Sequence, residues 1–95
     1  MKEKAIKEWR EHRIAALYYN TIDGYLRHRN IDSSVYLKLY EIHNEAMATV
    51  ERILSVTTVK RVLPKLEIEC MFKAQGDFLN WKSKFEKQEC PDLPY

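Results

Sequence analysis

The chain has 95 residues, 45% of them hydrophobic, 12% aromatic and 32% charged, with 16 basic side chains against 14 acidic ones for a formal charge of +2. That length makes one domain, and the near-balance of charge gives the whole-molecule field no strong pull on nucleic acid. Two glycines and three prolines are too few for the turns of an all-β sandwich or barrel, and no apolar run approaches the roughly 20 residues of a membrane span.

The first predicted element is a helix over about Lys2–Arg29. It carries two apolar stripes: Ile6, Trp9, Ala16 and Leu17, mainly in its first half, and Ile14, Tyr18, Ile22 and Tyr25 in its second. The N-terminus is charged and lacks a secretory h-region. With only two cysteines, that places the chain in a reducing cytoplasm. Residues 1–30 hold seven Lys or Arg against four acids. Lys7, Arg10, Arg13, Arg27 and Arg29 are the candidates for phosphate contact. Against that use, Glu3, Glu8 and Glu11 interleave with Lys4, Lys7 and Arg10 near helix-pair spacing, as on a solvated, self-neutralised face.

"NIDSS" interrupts the pattern, with Asp32 or Ser33 placed to cap the next helix. That second helix runs over about Ser34–Val56. Val35, Leu39, Ile42, Ala46, Val50, Ile53 and Leu54 gather in one broad arc at about 100° per residue, which predicts the central core helix.

After "SVTTV", a third helix is predicted over about Pro64–Gln88. Proline is tolerated in a first turn, where its missing N–H has no partner anyway. Glu67 and Glu69 then sit near the positive end of the helix, with Lys82, Lys84 and Lys87 near the negative end. "KLEIECMF" also alternates apolar and charged residues as a strand does, so a strand over this stretch stays open. The main apolar stripe is Met71, Ala74, Phe78, Trp81 and Phe85; Ile68, Phe72 and Leu79 form another. A straight helix parts Cys70 and Cys90 by roughly 30 Å, far beyond disulfide reach. Cys70 then reads as a small core residue, and Cys90 as the more accessible thiol.

The architecture expected is all-α: a bundle of three long helices in residues 1–90, completed by dimerisation, with a short tail over residues 91–95. A simple three-helix bundle needs one apolar arc per helix. The second arcs on the first and third helices therefore ask for more neighbours than one chain supplies. Trp9, Arg13 and Leu17, and Ile68, Phe72 and Leu79, are the expected protein-interaction surfaces, with aromatic anchors and an arginine rim.

Catalytic and cofactor chemistry finds little footing. His12, His28 and His43 form no Glu-x-x-His or His-Glu-x-x-His element, and His43 reads as a partly buried histidine with a hydrogen-bond partner. Gly24 and Gly76 are isolated, so no phosphate-cradling loop can be written. Ser33, Ser34, Ser55 and Ser83 lack a local nucleophile signature. The expectation is a protein that is not an enzyme, holds no cofactor or metal, does not enter a membrane, and binds a second copy and an unidentified protein partner. A DNA- or RNA-binding regulator using the basic first helix is the alternative.

Overall fold

The computed structural model describes residues 2–89 and consists of three helices: α1 (Lys2–His28), α2 (Ser34–Ile53) and α3 (Val56–Glu89). The expected all-α architecture is what the chain adopts. The stretch with strand-like alternation, Leu66–Phe72, lies inside α3. Among the described residues no helix is long and apolar enough to cross a membrane. Cys90 and the tail lie outside the described residues.

α1 ends in a Schellman turn. Asn30 takes a left-handed conformation at φ 60°. Its N–H donates to the Arg27 carbonyl at 3.0 Å, while the Ile31 N–H donates to the Leu26 carbonyl at 2.9 Å. These bonds satisfy carbonyls the ending helix would otherwise orphan, and asparagine tolerates that φ better than most residues. Of the two residues expected to cap α2, only Asp32 bonds a backbone N–H there. Asp32 accepts the Ser34 N–H at 3.1 Å, and this bond and one from the Ser34 hydroxyl hold its carboxyl below the ordinary range. Ser33 occupies the N-cap position without a capping bond. Its buried hydroxyl instead donates to Asp23 of α1. The other Asp23 oxygen accepts from Arg27 at 2.7 Å, so one buried carboxylate ties the end of α1 to the start of α2.

The α2–α3 corner is tighter than the sequence pattern predicts. Only Leu54 and Ser55 separate the two helices. Leu54 is extended (φ −78°, ψ 153°) and buried. The Ser55 hydroxyl oxygen accepts the Thr58 N–H at 3.2 Å and lies 2.8 Å from the Thr58 hydroxyl. A serine N-cap therefore starts α3 eight residues before Pro64, which sits inside the helix rather than at its first turn. An interior proline costs about 3 kcal/mol. Pro64 itself faces solvent, and its neighbour Leu63 is buried against the core with Val59 and Leu66 packed beside it. That apolar burial offsets the lost hydrogen bond.

The central helix is α1, not α2. α1 packs against both other helices, whereas α2 and α3 barely meet. Trp9, Ala16, Ile22, Asp23 and Leu26 of α1 are buried, against Met47 and Val50 of α2. The chain itself therefore supplies α1 with two neighbours for its broad apolar surface. The principal extents, 57 × 22 × 19 Å, describe a rod. Its radius of gyration of 16.0 Å exceeds the roughly 12 Å of a compact domain this size. The core is accordingly thin: Trp9, Met47, Val50, Leu54, Leu63 and Cys70 form its main cluster.

Candidate interaction surfaces and the two faces of the central helix

Toward α2, α1 presents Trp9, His12 and Tyr19. The Trp9 ring is buried and its indole N–H donates to Glu51 at 2.7 Å. Trp9 is therefore a core anchor of the chain itself, which corrects its expected place on an outward surface. The physical reason is the central position of α1: from its expected outward stripe Trp9 reaches Glu51 of α2, while Ile6 and Leu17 lie beside α3. Leu17 is half-buried and packs against the same core. One turn beyond Trp9, the Nδ1 atoms of His12 and His43 lie 3.0 Å apart. The Tyr19 ring stacks on His43 at 5.7 Å and meets Tyr36 at 6.2 Å. Burial, with the adjacent His12, lowers the pKa of His43.

Toward α3, Arg13 forms a two-pronged ion pair with Glu67, Nε to Oε1 at 2.7 Å and a terminal nitrogen to Oε2 at 2.6 Å. Glu67 therefore serves as an interhelix partner in mid-helix, not as a dipole-complementing residue near a helix start. The hydrogen bond to Glu67 raises the Arg13 pKa, and the paired geometry gives direction as well as energy. Cys70 is fully buried, and burial pushes its thiol pKa up. Further along, Tyr25 meets Phe78, Trp81 and Phe85 edge-on at 5.7–6.1 Å, while Trp81 and Phe85 stack at 4.9 Å. The Tyr25 hydroxyl donates to Glu86 at 2.8 Å and accepts from Arg29 at 2.6 Å. The stripe Ala74–Phe78–Trp81–Phe85 is thus the face of α3 turned to α1. Met71, assigned to that stripe by spacing, is 53% exposed instead.

These pairings bear on the basic residues of α1. Arg13 and Arg27 are bound to carboxylates, and Arg29 lies over the Tyr25 and Phe85 rings. Lys7 and Arg10 are exposed.

What α1 leaves uncovered is the far side of α3, where Ile68, Phe72 and Leu79 are 58%, 70% and 53% exposed; Met71, 53% exposed, flanks this row beside Leu17 and Thr21 of α1. The row falls within 12 residues, about 17 Å of helix. A second, sparser row on α2 consists of Val35, Ile42 and Ile53. A groove of about 480 Å³ opens between the starts of α1 and α3. Its lining (Lys2, Ile6, Thr57, Thr58, Arg61, Val62, Lys65 and Leu66) holds no carboxylate, imidazole or thiol. Comparison with protein-family models, curated proteins and solved structures yields no match.

Proposed function

We propose that this chain is a non-catalytic interaction protein that pairs with a second copy through the outer face of α3. The supporting observation is the row Ile68–Phe72–Leu79, three large apolar side chains each more than half exposed on one face of α3, with Met71 at its edge. Contiguous apolar surface of this kind is uncommon on monomers. A two-fold pairing would bury each residue twice, and would thicken a rod whose own core is thin. The α2 row Val35–Ile42–Ile53 would stay available to a different protein partner. The nucleic-acid reading has weaker support, because two of its five candidate cations are already matched to carboxylates within the chain.

Sedimentation equilibrium over about 1–100 μM tests the proposal. The expected result is a mass rising to twice that of the chain. A strict monomer at 100 μM would refute self-association. Titration with random duplex DNA at low salt distinguishes the alternative: binding with a steep salt slope would favour it.

A further inference from the structure

We propose that His12 and His43 form a two-imidazole site for a divalent transition metal that clamps α1 to α2. The two histidines are 31 positions apart in the chain and stand on different helices, yet their Nδ1 atoms approach to 3.0 Å. Their ring centroids are 5.3 Å apart. In the metal-free pair one neutral ring donates its Nδ1 proton to the other. Zinc or nickel binds imidazole nitrogen at about 2.0–2.1 Å, so two nitrogens on a tetrahedral ion are separated by about 3.3 Å. The pair therefore has to open by only about 0.3 Å, with each ring swinging to aim its lone pair at the ion.

Three features of the surroundings suit this role. Both rings are half-buried, open enough for an ion to enter and for water to complete its shell. Tyr19 stacks on His43 and limits how far that ring can turn away. His43 has a lowered affinity for protons because of its burial and because of His12, which keeps it in the neutral form a metal requires. Among the described residues no cluster of three or more His, Cys, Asp or Glu could hold a metal. The site thus offers two protein ligands and open positions for water. It is a clamp of moderate affinity, unlike a closed four-ligand structural site. Proton balance is simple above pH 7. Each imidazole keeps one proton, and the ring that had donated through Nδ1 carries it on Nε2 instead, so binding releases no net proton. Protons compete for the same nitrogens, so affinity falls as the pH is lowered.

The test uses the full chain with Cys90→Ser, which removes that thiol as a competing ligand. Titration with ZnCl₂ and NiCl₂ to about 1 mM at pH 7.5 is followed by calorimetry and by NMR of the imidazole protons. The expected result is saturable 1:1 binding with nickel tighter than or comparable to zinc, as imidazole ligands favour, and simultaneous shifts of the His12 and His43 resonances while His28 stays still. His12→Gln and His43→Gln should each lower affinity at least about tenfold, since neither ring alone chelates. The wild-type melting temperature should rise by at least about 4 °C at saturation, and that of the variants should not. The NMR readout does not depend on either variant folding. Absence of binding up to 1 mM, shifts confined to His28 or to one ring of the pair, or undiminished affinity in both variants would overturn the proposal.

Discussion

Phe72→Ser is the substitution that most directly probes the outer face of α3. Phe72 is 70% exposed in the single chain. Fully burying a phenylalanine contributes about 1.5–3 kcal/mol, so covering the exposed part contributes about 1–2 kcal/mol. A two-fold interface buries the residue once from each copy, which doubles this to about 2–4 kcal/mol. At 1.4 kcal/mol per factor of ten, the dimer dissociation constant should rise about 30- to 700-fold. The fold of the single chain should be nearly indifferent. Serine and phenylalanine have similar helix propensity, and surface substitutions away from special features shift stability by about 0.5 kcal/mol or less. Sedimentation equilibrium of both proteins, with urea unfolding at concentrations where each is monomeric, separates association from folding. Equal dissociation constants would refute the assignment of this face. A large loss of monomer stability would instead show that Phe72 serves the chain's own core. Ile42→Ser on α2 is the matched control and should leave the mass distribution unchanged.

Asp23→Ala should cost about 2–3 kcal/mol in urea unfolding, because it strands the buried Ser33 hydroxyl and removes the Arg27 pair. Asp23→Asn keeps an acceptor for Ser33 and should cost only about 1 kcal/mol; equal losses would contradict this account. Gly24→Ala and Gly76→Ala should each stabilise by up to about 1 kcal/mol, since both glycines lack positive φ and an added Cβ meets nothing within 4 Å. A fall in melting temperature for either would count against the open helix surface at that position. In a Cys90→Ser background, the Cys70 thiol should react with a disulfide reagent more than about a hundredfold slower than in the urea-unfolded chain, because it is buried and its pKa is raised. Rapid native-state labelling would mean that α3 opens readily from α1.

The sequence by itself determined the all-α class, the near-complete extent of α1, the break at "NIDSS" and the burial of Cys70. Each rests on local or periodic information: scarce turn residues, 3.6-residue spacing, and polar residues suited to caps. It also marked Ile68, Phe72 and Leu79 as a stripe apart from the main face of α3, and these are among the most exposed apolar residues. Tertiary structure decided which helix is central. Periodicity reports that a face is apolar, but not which neighbour covers it. The cleanest single arc belonged to α2, yet the doubly apolar α1 lies between the other two, and that position takes Trp9 inward. The start of α3 was likewise hidden. A proline reads locally as a helix beginning, whereas the Ser55 cap and the burial of Leu63 carry the helix through it. The same limit applies to Arg13–Glu67 and His12–His43, whose partners lie 54 and 31 positions apart. No spacing rule connects side chains on different helices. Only the packing of α1 against both neighbours brings them within hydrogen-bond reach.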